Sequence, residues 1–208
     1  MTNSLIVESL EVGDFLTNCY LVHHEGQAVI IDPGDDHGRI INKIKNRNVK
    51  VKQIILTHGH IDHIRAVPEI KKFTGAPVLI HREDAIMLTD CKANLSCYDK
   101  SEFSTDAADG FINEGDIIEI SQFKIKVLHT PGHTPGGISL LSDGMVFTGD
   151  ALFRESIGRT DFPNGSLDTL IQAIRTRLLV LPDNTVVYPG HGPKTNIGQE
   201  RSSNPWLN

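Results

Sequence analysis

An α/β domain with a sheet core of two layers and helices outside is the architecture the sequence predicts, on three grounds. Apolar runs of strand length alternate with segments whose apolar residues recur every three or four positions. The two halves of the chain echo each other: strands, then a strand ending in a histidine-bearing turn, then a helix. No composition shift or linker separates those halves, so the 208 residues are expected to form one domain spanning 1–208. With 39% hydrophobic and 22% charged residues the chain can bury a sizeable core, which excludes disordered and collagen-like classes.

Residues 5–10, 18–22 and 27–31 are rich in β-branched or aromatic side chains and separated by Gly or polar turns, so three strands open the chain. Asp32-Pro33-Gly34 ends the third, and Ile40, Ile41 and Ile44 then give residues 38–47 a helical period. The apolar run 53–56 reads as a buried strand leading into Thr57-His58-Gly59-His60-Ile61-Asp62-His63. A helix follows on Ile64, Val67, Ile70 and Phe73, broken at Pro68 or restarted there with the proline in its first turn. Strand 77–80 and a short helix 83–88 precede the polar stretch 90–110, whose length marks it as a functional lid. Strands 116–120 and 123–128 lead to the Gly/Pro-rich segment 129–137, and strands 137–141 and 145–148 flank the hairpin signal Asp143-Gly144. Ser166 caps the last expected helix, with Leu167, Leu170, Ile171, Ile174 and Leu178 on one stripe. Strand 185–188 runs into Pro189-Gly190-His191.

A formal charge of −6 disfavours nucleic acid, which needs a basic face. The run Lys43, Lys45, Arg47, Lys50 and Lys52 reads as the solvated side of a helix and strand. No apolar run approaches the ~20 residues of a bilayer span and no basic-then-apolar leader opens the chain, so no membrane partner and a cytoplasmic location are expected. Cys19, Cys91 and Cys97 are odd in number and hold no C-x-x-C pair, which fits a reducing compartment without a structural disulfide.

Ten histidines set the chain apart. Four metal-type ligands, His58, His60, Asp62 and His63, fall within six residues. A strand would turn His63 away from the others, and a helix would splay His58 and His60 by about 200°. The segment is therefore a turn joining strand to helix, which suits two metal ions better than one, and its imidazoles and carboxylate are groups that Zn, Fe and Mn accept. His133, Asp150 and His191 each follow a strand in a glycine-bounded turn, Pro-Gly-His, Thr-Gly-Asp and Pro-Gly-His. Seven ligands allow three histidines on one ion, a second set on another, and a bridging carboxylate. His129 reads as a turn residue behind them, and His23, His24, His37 and His81 as surface residues.

Taken together, T-H-x-H-x-D-H at 57–63, G-H-T at 132–134, T-G-D at 148–150 and P-G-H at 189–191 resemble the metallo-β-lactamase superfamily, above all its glyoxalase II-like hydrolases, in order along nearly the whole chain. Asn18-Cys19-Tyr20, Asp32-Pro33-Gly34 and Gly158-Arg159-Thr160-Asp161 add to the likeness, and the ending after Gly190 is similar to the short single-domain members. The resemblance implies a four-layer αββα sandwich with the site at one edge. It also implies His58, His60 and His133 on one metal, Asp62, His63 and His191 on a second, and Asp150 bridging two divalent ions, zinc first, with iron or manganese as alternatives.

Two metals sharing a hydroxide lower the pKa of bound water towards ~7 and polarise a carbonyl, while a thiolate of pKa ~8.5 leaves without a strong general acid. The expected activity is hydrolysis of a small-molecule acyl thioester, S-lactoylglutathione or a related hydroxyacyl-glutathione, with Asp62 and Asp150 catalytic and Arg159 binding substrate. Full-length glyoxalase II adds a C-terminal helical domain for glutathione, whereas this chain stops soon after His191, and Asp161 stands where that family has a gripping tyrosine. Arg65 and Ala66 stand where many relatives have glycines, and Arg65 reads as a solvated helix residue. The alternative is a persulfide dioxygenase, which shares the fold and the run 158–162 but holds a single iron with the equivalents of His58, His133 and Asp150; Pro-Gly-His-Gly-Pro at 189–193 leans towards the hydrolases. True β-lactamases usually carry Cys or Ser in place of Asp150. Phe153, Arg154 and the stretch 90–110 are candidates for the substrate mouth, and a monomer or small homo-oligomer is expected.

Overall fold

The structure, a computed structural model, describes residues 4–98 and 100–208. Six strands form the first sheet in chain order: β1 (Ile6–Val12), β2 (Thr17–His24), β3 (Gln27–Ile31), β4 (Lys50–Ile55), β5 (Val78–Ile80) and β6 (Gly110–Phe111). β1 to β3 pair antiparallel and β3 to β6 parallel. The second sheet begins with β7 (Ile117–Ile120), β8 (Phe123–His129), β9 (Ile138–Ser142) and β10 (Met145–Gly149). A separate hairpin of β11 (Leu152–Phe153) and β12 (Ser156–Ile157) intervenes before β13 (Val186–Pro189) and β14 (Thr195–Asn196) complete the sheet, in the order β14-β13-β10-β9-β8-β7.

Alternating side chains give each sheet an inner and an outer face. Tyr20, Val22, Val29 and Ile31 of the first sheet meet Ile118, Ile120, Val127, Leu140 and Phe147 of the second in one buried cluster. Phe147 sits at its centre, its ring 5.1 Å from Tyr20 and 5.0 Å from Tyr188. The outer face of the first sheet packs through Leu21, Ile30 and Ile54 on α1 (His37–Arg47), α2 (Ile61–Ile64) and α3 (Val67–Thr74). Beyond the second sheet, Val146 and Val187 pack on α4 (Leu167–Ala173), the π-helical turn Ile174–Leu178 and α5 (Ile197–Ser203). The result is a four-layer αββα sandwich. At one edge Asn18 ties its two halves together: its N–H donates to the Gly190 carbonyl at 2.7 Å, and its amide donates to the carbonyls of Pro189 and Gly192 at 3.0 and 2.9 Å.

Local chemistry explains most boundaries. Asp143 and Gly144 turn the β9–β10 hairpin with φ of 21° and 76°, the left-handed region that Asp tolerates and Gly prefers. Pro68 restarts the helix, standing in the first turn of α3. The Ser166 hydroxyl accepts from the Thr169 N–H at 3.3 Å, and Leu170, Ile174 and Leu178 are buried as one stripe. Leu167, expected on the same stripe, is the first residue of α4 and is exposed.

Several expectations need correction. Residues 82–88 form a 3₁₀ helix, tightened at its start by His81 Nδ1 accepting from the Glu83 N–H. α5 was not expected; its signal was Asn196 followed three residues later by Gln199, whose N–H Asn196 caps at 2.9 Å. His37 is exposed, but His23, His24 and His81 are buried. His23 faces Glu8 at 3.1 Å, His24 meets the ring of Phe123, and His81 stacks on His129. Cys91 and Cys97 form a disulfide, since the turns of this stretch bring their Cα atoms to 5.2 Å and the Cys97 N–H onto the Cys91 carbonyl. That same stretch is pinned: buried Asn94 donates to the carbonyls of Met87 and Phe103, and its own carbonyl accepts from the Ile61 N–H. Among the described residues no helix is long and apolar enough to cross a membrane.

Candidate metal centre

Parallel pairing of β3 with β4 and of β10 with β13 brings their C-terminal ends to one edge, and β8, two antiparallel steps from β10, ends there too. Open α/β sheets place their chemistry at such ends. His58 and His60 lie in the turn from β4 to α2 and Asp62 and His63 within α2, while His133, Asp150 and His191 follow β8, β10 and β13. All seven residues singled out in the sequence meet here. Donor atoms of His58, His60 and His133 lie within 4.8 Å of one another, as do those of His58, His63 and Asp150, and those of Asp62, His63 and His191. Asp150 stands between the sets, with Oδ1 3.4 Å from His63 Nε2 and Oδ2 3.6 Å from Nε2 of both His133 and His191.

The outer ring nitrogens are held from behind, which fixes the nitrogen that faces inward. His63 Nδ1 faces Asp32 Oδ2 at 3.0 Å, His133 Nδ1 the Arg159 carbonyl at 2.7 Å, and His191 Nδ1 the Phe15 carbonyl at 3.0 Å. Asp32 also accepts from the Thr57 N–H at 2.7 Å and its hydroxyl at 2.6 Å, and the Thr17 hydroxyl donates to Asp62 Oδ2 at 3.0 Å. Sequence reasoning assigned none of these supporting roles. Asp32 carried a signal, a carboxylate ending a strand in Asp-Pro-Gly; Thr17 carried none. Glycine is required where turns touch: a Cβ on Gly190 would lie 2.1 Å from Asp150 Oδ1, and one on Gly34 would lie 1.8 Å from the Asp62 carbonyl oxygen.

The cluster fits metal ions on its own evidence. His58 Nε2, His63 Nε2 and Asp150 Oδ1 are buried without a hydrogen-bond partner among the described residues, an arrangement that is costly unless something else satisfies them. Burial, reinforced by neighbouring imidazoles, pushes His58 well down and His60 down to about 3, leaving both in the neutral, ligating form. Burial opposes charge on Asp62 and Asp150, but His63 above all outweighs it and holds both carboxyls below their usual range. Burial opposes charge on His63 as well, yet Asp62, Asp150 and Asp32 raise it.

The model of the metallo-beta-lactamase superfamily matches residues 12–191, a span that includes all seven. The chain belongs to this superfamily. It is 39% identical to the hydroxyacylglutathione hydrolase GloC of Haemophilus influenzae, over 97% of this chain and 98% of the relative. Two similar solved structures are the BLEG-1 B3 metallo-beta-lactamase, at 36% identity, 97% and 99% coverage and a TM-score of 0.93, and TTHA1623 in a di-iron-bound form, at 33%, 97%, 100% and 0.84.

In this metallo-beta-lactamase superfamily chain five of the seven residues, His60, Asp62, His133, Asp150 and His191, line a cavity of about 590 Å³ together with Phe15, Leu95, Tyr98, Phe153, Phe162 and Arg159. The Arg159 guanidinium pairs with both oxygens of Asp161 at 2.8 Å and lies 4.1 Å over the Phe162 ring. Arg154 does not line this cavity. Arg65, expected on a solvated helix face, faces Asp35 at 3.7 Å in an adjoining groove that Asp62 shares. A larger groove of about 1120 Å³ between β1 and α1 has none of the seven in its lining and is not part of the centre. His81, Glu83 and His129 also cluster, but the two imidazoles stack 4.3 Å apart at 13°, so their in-plane lone pairs do not meet at one point.

Behind the His133 turn, buried Asp84 accepts from the Thr134 hydroxyl at 2.7 Å and the Gly136 N–H at 2.6 Å. Burial pushes its carboxyl from 3.8 up to about 6. Between those values the folded chain keeps a proton the unfolded chain has lost, so stability falls as pH rises through the window, by up to ~3 kcal/mol. Asp84→Asn keeps an acceptor for Gly136 and removes the charge. Its urea midpoint is expected to exceed the parent's at pH 7 and to match it below pH 4; equal midpoints at both would refute this account.

Proposed function

We propose that this chain is a metal-dependent hydrolase of acyl thioesters of the hydroxyacylglutathione type. The observation that carries the reading is the complete set of inward donors, His58, His60, His133, Asp62, His63 and His191 with Asp150 between them, three of whose atoms have no other partner. Whole-length identity of 39% to a hydroxyacylglutathione hydrolase supports the substrate class, and the di-iron form of a 33% identical relative supports two ions. His58, His60 and His133 would hold one ion, Asp62, His63 and His191 the other, and Asp150 both; zinc, iron or manganese suits these donors. Bound there, the ions would supply Lewis acidity, polarising the acyl carbonyl and lowering the pKa of water at the site.

The chain's own groups orient and restrain. Asp32 and the carbonyls of Arg159 and Phe15 lock the imidazoles of His63, His133 and His191. Asp62, kept as a carboxylate, takes up hydrogen bonds at Oδ2 instead of delivering a proton. A thioester tolerates this: the water oxygen bonds to the acyl carbon, the C–S bond breaks, a thiolate of pKa ~8.5 departs with the electron pair, and the two protons of the water pass to solvent, leaving a carboxylate. Arg159 lines the mouth with its guanidinium paired to Asp161, so a substrate carboxylate would bind it by sharing or displacing that pair.

Metal analysis coupled to a substrate panel tests the reading. About two ions per chain, one thiol and one carboxylate released per S-lactoylglutathione consumed, and no oxygen uptake are expected. Intact lactoylglutathione alongside oxygen uptake on glutathione persulfide, or alongside opening of a β-lactam, would overturn it.

A further inference from the structure

A disulfide stands beside the metal-binding turn, and no step of the proposed hydrolysis uses it. Cys91 and Cys97, six residues apart, close a small ring whose middle is Asn94. Asn94 is fully buried and grips in three directions: its carbonyl accepts from the Ile61 N–H at 3.0 Å, and its side-chain amide donates to the carbonyls of Met87 and Phe103 at 2.9 and 3.0 Å. Ile61 opens α2 between His60 and Asp62, and its N–H has no partner inside the helix. Packing is close on the same side, since a Cβ on Gly59 would lie 2.4 Å from Met87 Cβ. The ring thus clasps the segment that carries His58, His60, Asp62 and His63, and Leu95 within it and Tyr98 just after it line the cavity.

Three features make this a clasp that opens and closes. Leu95, beside Asn94, has a φ of 71°, in the left-handed region that a leucine adopts only under constraint. Joining the sulfurs restrains that backbone, and parting them frees it to relax. Both cysteines are half-buried and outside the sealed core, so a thiolate from solvent can reach them. The Cys97 N–H, on the Cys91 carbonyl at 3.1 Å, keeps the two side by side after opening, ready to rejoin. We propose that Cys91 and Cys97 are a site of reversible thiol–disulfide exchange, which tightens the His58 to His63 segment when joined and loosens its hold on metal when parted. A small thiolate attacks one sulfur, forming a mixed disulfide and releasing the other cysteine as a thiolate. A second thiolate then attacks the small-molecule sulfur of the mixed disulfide. The two cysteines gain two electrons and take up two protons, the two small thiols are oxidised to one disulfide, and that disulfide is the oxidant for the reverse step. The inference concerns the metal centre and holds whichever substrate the centre serves.

Glutathione buffers from fully oxidised to fully reduced supply the probe. Alkylation in denaturant is expected to count one thiol, Cys19, at the oxidised end and all three at the reduced end, with the change falling inside the series. A constant count at either value overturns the exchange. In the metal-loaded protein freed of glutathione, hydrogen exchange at the Ile61 amide is expected to run about tenfold faster in the dithiol form, with amides of the buried strands β3 and β10 unchanged. Release of metal to a chelator is expected to quicken about tenfold alongside it. The Cys91→Ser, Cys97→Ser double variant is expected to match the dithiol form at every glutathione ratio. A thermal melt verifies its fold, and the reduced parent gives the same comparison without mutation. Equal Ile61 exchange in the two forms, or equal metal release, overturns the clasp. Exchange that quickens equally at Ile61 and in β3 and β10 makes the disulfide a general brace and overturns it too.

Discussion

With Asp150 replaced by alanine, the proposed thioester turnover is expected to fall at least about a thousandfold, equivalent to ~4 kcal/mol of transition-state stabilisation, and bound metal to drop, on the proposed two-ion reading from about two ions per chain towards one. The expectation comes from position. Asp150 is the carboxylate whose two oxygens face His63 on one side and His133 and His191 on the other, so both donor sets lose a member at once. Its Oδ1 is buried without a hydrogen-bond partner among the described residues, so the fold gains little from it except through what it binds. Elemental analysis and single-turnover hydrolysis read the two effects separately. Full metal content with turnover within tenfold of the parent would remove Asp150 from the centre.

Phe147→Ala is expected to cost about 3–5 kcal/mol in urea unfolding, the largest stability loss of any substitution considered. The ring is fully buried between the sheets and touches Tyr20 and Tyr188 from opposite sheets. A methyl group there leaves a cavity that two rigid sheets cannot collapse to fill. The damage reaches the centre as well, since the Tyr20 hydroxyl donates to the Pro189 carbonyl at 2.6 Å, two residues before His191. Metal affinity is expected to weaken alongside stability. A loss under about 1 kcal/mol would show that the sheets repack around the gap.

The layers and the seven inward residues were legible because each rests on a short-range signal. Strand alternation, the Asp143-Gly144 turn and the Ser166 cap act within a few residues, and His58 to His63 crowd their chemistry into one turn. What could not be read acts across long separations. Asp32 meets His63 at a distance of 31 residues, Phe15 meets His191 at 176, and the Arg159 carbonyl meets His133 at 26. Backbone carbonyls leave no trace in composition, so two of these three supports could not be found from residue types. His23 and His24 were misplaced for a related reason: a polar name in a strand looks solvated until the partner that covers it, Glu8 or Phe123, is brought beside it. α5 was the exception, a local cap passed over.

The seam made by Asn18 has a consequence for how the molecule is born. Its side chain closes on the carbonyls of Pro189 and Gly192, partners 171 and 174 residues downstream. On the ribosome the first sheet can pair while the second is still being synthesised, yet Asn18 finds nothing to grip until residues 189–192 have emerged. His58 and His60 are therefore exposed early, His133 and Asp150 join later, and His191 arrives last. A metal ion that reaches the nascent chain before then meets an incomplete set of donors, so any site that uses His191 is completed only after that residue has emerged.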